Sequence, residues 1–438
     1  MESALVQAYQ NNPQLNAQRA STRATDENVP QALSGYRPRV SLTGTAGEQY
    51  TDVVTKANSQ GINTYQNAHG TTTPYSGGGT ISQTLFNGFQ TANRTRAAES
   101  QVSAAREALR IMEQTVLLAA ATSYMDVLRD TANLEVQRTN VRVLEETLKQ
   151  TRDRFNVGEV TRTDVAQAEA QLASGQSAVA AAESVLNTSR ATFRQVVGTE
   201  PVNLAPGSPV DRFSPRALMA AIDVGLSENP NVTSAMYGVD VAFLQVKINE
   251  GALFPNLTLQ GTAQYSQFPQ LSIVHQFTTS VIGQLTIPIY QGGGEYSLIR
   301  QSKESLAQQR LNLDLVRNQT RQAVVQAWGQ LQAAKAQITA AQSQVASSEV
   351  ALNGVREEAR VGQRTTLDVL NAQQALVNAR VALVAAQHDR VVASYNVLAA
   401  VGRLSPQVLG LSTNVYDPMV HYQQIRDAWF GIRNPDGR

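Results

Sequence analysis

One stretch of the sequence occurs twice, and both copies predict the reversal at the tip of a helical hairpin. The first copy is residues 155–165 (FNVGEVTRTDV) and the second is residues 359–369 (ARVGQRTTLDV). The Val-Gly pair ends a helix, because glycine adopts the left-handed C-cap conformation without a steric cost. The Thr and Asp residues that follow favour the start of the next helix, since their oxygens accept hydrogen bonds from its first N–H groups. Two such tips, 204 positions apart, predict that one long antiparallel helical hairpin is present twice.

The rest of the chain repeats in the same order, which sets its predicted divisions. Asn12-Pro13 and Asn229-Pro230 both predict a helix start, with proline at the first helical position. Residues 52–79 are rich in Asn, Thr, Gly and Tyr and predict a long surface loop. The predicted divisions are a first repeat at 1–200 (strands at about 38–51 and 79–87, tip at 157–164), a linker at 201–216, a second repeat at 217–405 (strands at about 255–266 and 279–290, tip at 361–368) and a C-terminal tail at 406–438.

The four predicted strands each have one apolar face and one face of small polar side chains. In the first strand, Val40 and Leu42 alternate with Ser41 and Thr43, which is the period of a strand with two different faces. In water such a sheet exposes its apolar face, and in lipid its open edges leave backbone groups unsatisfied. The smallest membrane barrels contain about eight strands. The sequence therefore predicts that several copies of the chain pool their strands into one barrel with a wet lumen.

Between the strands and the tips, the pattern is that of long coiled-coil helices. From about Thr91 the pattern is helical for roughly 65 residues, on the order of 100 Å. Apolar residues recur there at every seventh position, as in the seam of a coiled coil. These seam positions are Val127, Leu134, Val141, Leu148 and Phe155 in the first repeat and Val324, Leu331, Ile338, Val345 and Leu352 in the second. Helices of this length are too long to pack back onto a small sheet, so we expect them to form the staves of a second, helical barrel.

Composition and motifs exclude several other functions. The formal net charge is +1 and only 16% of the residues are charged, so we expect no nucleic-acid partner. The chain has no cysteine, which excludes disulfides and thiol chemistry. Its four histidines share no metal-ligand spacing, and it has no nucleophile-elbow, P-loop or dinucleotide-binding motif. We therefore expect no cofactor, no metal and no enzymatic activity, and a cytosolic helical enzyme has no candidate site in this sequence.

The sequence contains neither a helical membrane span nor a secretory signal. No apolar run approaches the roughly 18 residues that a membrane-spanning helix requires. Residues 1–5 (MESAL) lack the basic and apolar regions of a signal peptide. Two interpretations remain: a cytosolic protein, or an exported chain whose signal peptide is absent from this sequence. The two-faced strands favour the second.

Three groups of residues, taken together, resemble the TolC family of outer-membrane channel-tunnels. They are residues 154–158 (RFNVG) with Thr163, Asp164 and Val165; residues 287–293 (IPIYQGG); and Val361-Gly362 with Arg364, Thr365 and residues 368–370 (DVL). The resemblance covers residues 1 to about 410. It implies a mainly α fold with a membrane β-barrel part, in a homotrimer that shares a twelve-stranded β-barrel in outer-membrane lipid. An α-helical barrel would continue into the periplasm of a Gram-negative bacterium.

The resemblance also implies a function and its partners. Members of this family are exit ducts for tripartite drug-efflux pumps and for type I protein secretion systems. Their hairpin tips dock on a periplasmic adaptor (membrane fusion) protein, which connects them indirectly to an inner-membrane RND, MFS or ABC transporter. The residues that correspond to the docking tips are Val157, Gly158, Glu159, Thr161, Val361, Gly362, Gln363 and Thr365.

At the closed periplasmic end, the resemblance implies a gate with a latch and an acidic ring. Arg364 matches the arginine of the latch, and Thr163 and Asp164 match its partners. Asp368 matches one position of the acidic ring. The sequence departs from the family pattern twice, because Asn371 stands at the second ring position and Ala359 stands where the family has a supporting tyrosine. We therefore expect a ring that selects cations more weakly and a latch with fewer hydrogen bonds.

Simpler interpretations of the same residues remain open at this point. Asp164 and Asp368 can act only as helix caps, since Asp is common in a first helical turn. Arg364 can be a solvated tip residue, and Gly158 and Gly362 are C-caps before they are docking surface. For the whole chain, the alternative function is a structural coiled-coil scaffold without transport activity, which leaves the two-faced strands unexplained.

Overall fold

The computed structural model describes residues 1–435, and for Ser59 it describes the backbone only. This part of the chain is mainly helical. The α-helices of this part are α1 (Glu2–Asn11), α2 (Pro13–Asp26), α3 (Asn28–Leu33), α4 (Gln90–Asn156), α5 (Arg162–Val197), α6 (Leu218–Glu228), α7 (Pro230–Gly251), α8 (Gly294–Arg360), α9 (Thr366–Ala400), α10 (Pro406–Leu409) and α11 (Pro418–Ile425), and short 3-10 helices occupy Ser34–Tyr36 and Asp211–Phe213. Helices α4 and α8 contain 67 residues each, a rise of about 100 Å. Both ends of α4 and α8 correspond at the offset of 204 that relates the tips.

The strands form one four-stranded sheet and one separate two-stranded ribbon. They are β1 (Arg39–Ala46), β2 (Gln49–Ser59), β3 (Ile62–Thr72), β4 (Tyr75–Asn87), β5 (Asn256–Gln270) and β6 (Ile273–Thr286). The sheet has the order β1-β4-β5-β6, and all neighbouring strands are antiparallel. Strands β2 and β3 pair with each other from Gln49↔Thr72 to Ser59↔Ile62. Within the described chain, β1 and β6 each have a strand partner on one side only.

The prediction of a loop at residues 52–79 is wrong, because most of these residues form the β2–β3 ribbon. Its two strands are joined by Gln60 and Gly61, whose φ angles of 54° and 85° belong to the two-residue turn that matches the twist of a hairpin. The described side chains of the ribbon are almost all exposed. A ribbon without a buried face has no need for alternating apolar and polar residues, so the periodicity that marked the other strands is missing here.

The bounds of the last strand also differ from the prediction. Strand β6 begins at Ile273 and not at about 279, and it ends at Thr286, so residues 287–290 lie outside it. The hairpin between β5 and β6 is therefore tight, with Gln270 opposite Ile273. Phe268, with a φ of 50°, lies where the β5–β6 register shifts between Gln267 and Gln270. This bulge breaks the simple alternation of β5 just beyond residue 266, where that strand was predicted to end, although β5 continues to Gln270.

The register of the sheet gives it the two different faces that the sequence predicts. One row across the four strands contains Val40, Ile81, Gly261 and Val281. The next row contains Ser41, Thr80, Thr262 and Ser280, and the hydroxyl oxygens of Thr262 and Ser280 are 2.7 Å apart. Because successive residues of a strand point to opposite faces, one face is mainly apolar and the other carries small polar groups.

The described chain divides into two compact units, each of which combines distant segments. Unit 1 contains Met1–Arg23, Ala104–Met236 and Asn312–Pro418. Its core includes Tyr9, Tyr124 and Phe193, all almost fully buried. The predicted seam positions within it are buried or half-buried, with the exception of Phe155, which is 42% exposed because it lies next to the end of α4. The predicted division at residues 200 and 216 follows sequence repeats and stays a prediction.

Unit 2 contains Ala24–Ser103, Tyr237–Leu311 and Met419–Arg438, and it includes the sheet. Gly88 and Gly251 approach each other closely there, because a Cβ added to Gly88 would lie 2.2 Å from the Gly251 carbonyl oxygen. In the described part of the chain, no helix is both long enough and apolar enough to cross a membrane.

Candidate functional site at the hairpin tips

Both tips lie in unit 1, and both end their first helix with the same backbone hydrogen bonds. In the first tip, the N–H of Gly158 donates to the carbonyl of Phe155, and that of Glu159 donates to the carbonyl of Arg154 at 2.9 Å. In the second tip, Gly362 and Gln363 repeat this pair of bonds. This is the Schellman arrangement, which requires a left-handed residue after the helix. Gly158 and Gly362 have φ angles of 83° and 81°, so both glycines are C-caps, as expected.

The helices that leave the tips begin with matching capping boxes. In the first, the Thr161 hydroxyl accepts the N–H of Asp164, while Asp164 Oδ2 accepts the Thr161 N–H at 2.9 Å and the Thr161 hydroxyl at 2.7 Å. Thr365 and Asp368 make the same three hydrogen bonds in the second tip. Each box satisfies donors that the first helical turn leaves free.

These hydrogen bonds favour the charged form of both capping carboxylates. The Thr161 hydroxyl is the largest cause that holds the pKa of Asp164 below its ordinary value, followed by the Thr161 N–H. The Thr365 N–H is the largest cause that lowers the pKa of Asp368, followed by the Thr365 hydroxyl. Asp164 and Asp368 are therefore the N3 residues of capping boxes whose N-caps are Thr161 and Thr365. They contribute to helix capping within each chain, as the simpler interpretation expects. The two hydrogen bonds that Asp164 accepts from Thr161 both end on Oδ2. The other carboxylate oxygen, Oδ1, is therefore available to a second donor.

The other residues predicted for the gate are on the surface of the tips. Arg364 Nε donates to Glu358 Oε2 at 2.8 Å, and both side chains are about half exposed. Glu358 is the largest cause that raises the pKa of Arg364. Thr163 and Asn371 are exposed. Within one chain the structure thus brings Arg364 to Glu358. The contact of Arg364 with Thr163 and Asp164, which the resemblance implies, stays a prediction.

Two arginines at corresponding positions brace the two hairpins. Arg152 donates to Glu169 at 2.7 Å, which joins α4 to α5. In the second hairpin, Arg356 donates to Gln373 Oε1 at 3.1 Å, which joins α8 to α9. Gln373 in turn donates to Asn140 Oδ1 on α4 at 3.2 Å. The acceptor of the second brace is therefore a neutral side chain, Gln373, and the hydrogen bonds continue from it to α4 of the first hairpin.

A groove of about 900 Å³ separates the ends of the two hairpins. Its lining includes arginines and glutamates from α4, from the first tip and from the end of α8: Arg142, Glu146, Arg154, Glu159, Arg356, Glu357 and Arg360. Val157 and Val361 are both strongly exposed at the tips. The arrangement thus offers apolar knobs beside a groove of mixed charge, which suits a protein partner better than a small molecule.

Sequence reasoning missed three residues of this site. Glu358 pairs with Arg364, whereas its neighbour Glu357 pairs with Arg360 within the same helix at 3.3 Å. The signal for Glu358 is its position six residues before Arg364, across the glycine that turns the chain back. Gln373 and Asn140 had no local signal, because 233 positions separate them.

Comparison with known proteins gives a consistent result. The family described as "Outer membrane efflux protein" matches residues 4–199 and 221–403. The outer membrane efflux protein BepC of Brucella suis biovar 1 (strain 1330) is 42% identical over 445 residues, which cover 100% of this chain and 93% of that protein. The outer membrane protein TolC of Escherichia coli (strain K12) is 26% identical, with 95% and 85% covered. The crystal structure of the Campylobacter jejuni CmeC outer membrane channel superimposes with a TM-score of 0.80 at 17% identity and covers 97% of this chain and 88% of that one.

The fold and its tips define a class of protein. It has two helical hairpins, in each of which a helix of about 100 Å ends in a capped reversal, and a two-faced sheet that is open at both edges within the described residues. This chain belongs to the outer membrane efflux protein family, the family of TolC. The predicted family and the predicted mainly helical fold with a small part in strands are therefore confirmed. The sequence resemblance was enough to identify an outer-membrane efflux channel.

Proposed function

We propose that three copies of this chain form a passive exit duct across the periplasm and the outer membrane. In this proposal the duct performs no catalysis, and its periplasmic end opens when an adaptor protein docks on the hairpin tips. The observation that carries the proposal is the four-stranded sheet, which has two different faces and a free edge on each side within the described chain.

The free edges support closure between copies. The exposed backbone groups of β1 and β6 require partners if the sheet is surrounded by lipid, because the bilayer core offers no water to them. Strand β1 of one copy beside β6 of the next is a head-to-tail contact, and such contacts close into a ring when the rotation permits. The apolar row with Val40 and Ile81 would then face lipid, and the hydroxyl row with Thr262 and Ser280 would line the lumen.

The width of the resulting barrel supports three copies. Two copies would supply eight strands, and a barrel of about eight strands is filled by its own side chains. Three copies would supply twelve, which leaves room for a lumen and agrees with the resemblance to the TolC family. The long hairpins of the three copies would continue this barrel as the helical part of the duct.

The tips are proposed as both the docking surface and the gate. The exposed Val157 and Val361 and the charged groove between the hairpins support docking of a periplasmic adaptor, with Gly158, Glu159, Thr161, Gly362, Gln363 and Thr365 as the remaining tip positions. In the closed state, Arg364 of one copy would bind Thr163 and Asp164 of the next. Asp368 would form an acidic ring at the axis, with Asn371 beside it.

The relatives support export in two settings. The relative with 42% identity has the name "Outer membrane efflux protein BepC", and another, at 27% identity, is the alkaline protease secretion protein AprF of Pseudomonas aeruginosa. We therefore propose drug efflux with an RND or MFS pump as the main role. Type I protein secretion with an ABC transporter is the second candidate.

The gate can be tested by conductance of the purified protein in planar lipid bilayers. We expect Arg364→Ser to raise the conductance or the open fraction, because three exposed latch contacts, each weak by itself, act together on one gate. Arg360→Ser is the matched control: it removes an arginine four positions away that pairs with Glu357, and it should leave the conductance unchanged. An Arg364→Ser channel with wild-type conductance would contradict the latch.

The oligomer requires its own test. Native mass spectrometry of detergent-extracted protein should give a trimer, and a monomer that is soluble without detergent would refute the duct. A trimer that never conducts, in any of these variants, would favour the alternative of a structural scaffold without transport activity.

A further inference from the structure

Three apolar side chains close to the C-terminus are exposed to an extent that is unusual for their type. Trp429 is 64% exposed, Phe430 94% and Ile432 101%. A single exposed apolar residue is ordinary on a protein surface, but a contiguous group of large ones marks a binding surface. The sequence offered no role for these residues. Their surroundings in unit 2 indicate one.

The segment that leads to these side chains is firmly attached. His421 Nδ1 lies 3.1 Å from Asp26 Oδ2, and both residues are buried. Tyr422 packs against the cluster of Val29, Ala98 and Val102. Residues 421–422 are therefore fixed on α2, α3 and α4. The exposed side chains that follow them in the chain thus have a defined position in the fold.

That place is the end of the sheet at which β1 begins. Arg37 Nη1 donates to the carbonyl of Ala428 at 2.6 Å. The guanidinium of Arg37 also lies over the ring of Trp429, 4.8 Å from its centroid. Since β1 starts at Arg39, only Pro38 lies between Arg37 and the sheet.

The chain carries other exposed aromatic and apolar residues at the same end of the sheet. They lie within four positions of the starts of β1 and β5 or of the ends of β4 and β6, and they are Tyr36, Phe89, Phe254, Ile289 and Tyr290. Aromatic side chains gather where a membrane-spanning barrel meets the headgroups of the lipid. Arg37 lies beside Trp429 and Arg39 begins β1, and the charge of these arginines complements phosphate groups.

We propose that Trp429, Phe430 and Ile432 insert into the periplasmic-side interface of the outer membrane and bind lipid. This inference rests on the proposed function, because it assumes that the sheet spans the membrane. Trp and Phe suit this position because their rings bury in the interface, where the Trp N–H still finds a partner. The aqueous lumen is the less favourable place, since three large apolar side chains would remain in water there.

Tryptophan fluorescence tests the proposal, because the chain has two tryptophans, Trp328 and Trp429. Trp328→Phe leaves Trp429 as the single reporter, and Trp328→Tyr gives the same reporter if the first variant folds poorly. In proteoliposomes of phosphatidylcholine with brominated acyl chains, we expect the emission of Trp429 to fall by roughly half relative to the unbrominated lipid, as for an interfacial ring. Acrylamide should quench it only weakly.

The matched control is Trp429→Phe, which leaves Trp328. This side chain is half-buried in unit 1 beside Ala327, Leu331 and Val397, so bromine should not change its emission. Emission of Trp429 that acrylamide quenches and bromine does not would overturn the proposal in favour of water. Emission that neither agent quenches would overturn it in favour of packing on a neighbouring protomer.

Conductance of the same proteoliposomes distinguishes a failure of the proposed lipid contact from a failure of the proposed duct. If they conduct and Trp429 is not quenched by bromine, the lipid contact is wrong and the duct stands. If the protein does not insert at all, both are refuted.

Discussion

The first tip, residues 157–164, and the second tip, residues 361–368, have the same backbone hydrogen bonds and different charges. Both use a left-handed glycine and a Thr-x-x-Asp capping box. At the position 204 residues before Glu358, the first tip has Arg154, which pairs with Glu159 at 3.0 Å. The second tip has Glu358, which pairs with Arg364. The sign of the charge at the helix end is therefore inverted between the tips, and each is neutralised by a residue of the following turn.

This difference distinguishes the tip residues that the fold requires from those that are free to differ for function. The glycine and the capping box determine where each helix ends and the next begins, so both tips need them. The ion pairs are exposed, and exposed pairs contribute little to stability. Their inverted signs instead would give the proposed adaptor two distinguishable tips on each chain. The braces behind the tips differ in the same way, with a charged acceptor, Glu169, in one and a neutral one, Gln373, in the other.

The braces should give the largest difference between the hairpins. We expect Gln373→Leu to destabilise the second hairpin by about 1–3 kcal/mol, because it leaves Arg356 and the buried Asn140 without their partner. Gln373 is 7% and Asn140 4% exposed. Glu169→Leu is the matched change in the first hairpin, where both partners are about half exposed and return to water, so we expect less than about 1 kcal/mol. Hydrogen exchange of the helical amides in each hairpin measures both values.

Equal losses of protection in the two hairpins would contradict this comparison. They would mean that the buried contact from Gln373 to Asn140 contributes no more than an exposed ion pair. A loss of amide protection confined to the first hairpin would mean that the exposed pair of Arg152 and Glu169 contributes more than the buried contact.

The ion pair of the second tip should have a smaller effect, which appears in the gate. In each chain Arg364 is bound to Glu358, so Glu358 competes with the latch partners Thr163 and Asp164 of the proposed closed state. We expect Glu358→Gln to release Arg364 to the latch and to lower the open fraction in bilayers by roughly two- to fivefold, the range of an exposed ion pair. Glu357→Gln removes a neighbouring charge whose partner is Arg360, and it should have no such effect.

The double variant of Glu358→Gln with Arg364→Ser decides whether the competition is real. If Glu358 acts only through Arg364, the double variant behaves like Arg364→Ser alone. An open fraction that rises in Glu358→Gln would show that Glu358 supports the latch.

The local features of the tips were predictable from the sequence, and the contacts between distant segments were not. Gly158 and Gly362 follow from C-cap chemistry. The capping box also has a local signature, and the three-residue spacing of Thr161 and Asp164 identifies the cap as Thr161 and not Thr163. Gln373 and Asn140 meet only because two hairpins pack together, which no local pattern encodes.

The strands show the same limit of sequence reasoning. Strand β1 was found because its two faces differ, and Val40 and Ser41 lie in an apolar and a polar row. Strands β2 and β3 were missed because both faces of their ribbon are exposed, so nothing forces the side chains to alternate. The turn at Gln60 and Gly61 was the available signal, and Thr, Tyr and Val on either side of it are residues that favour strands.

The capping boxes should give the smallest effect, and one that both tips share. The pKa values of Asp164 and Asp368 are lowered by their hydrogen bonds. A carboxylate whose pKa is lower in the folded state stabilises fully above its ordinary pKa of about 4 and loses that contribution as the pH falls through the folded value. We therefore expect both tips to lose amide protection together below about pH 4, after correction for intrinsic exchange, and to be insensitive to pH between about 5 and 8.

Asp368→Asn separates the tips in this experiment. An uncharged side chain at this position cannot titrate, so the second tip should become insensitive to pH below about 4 while the first tip keeps its wild-type profile. The comparison is sharp because Asp164 and Asp368 make the same three hydrogen bonds. If the second tip of Asp368→Asn still loses protection in acid, another carboxylate is responsible, and Glu358, the ion-pair partner of Arg364, is the group to replace next.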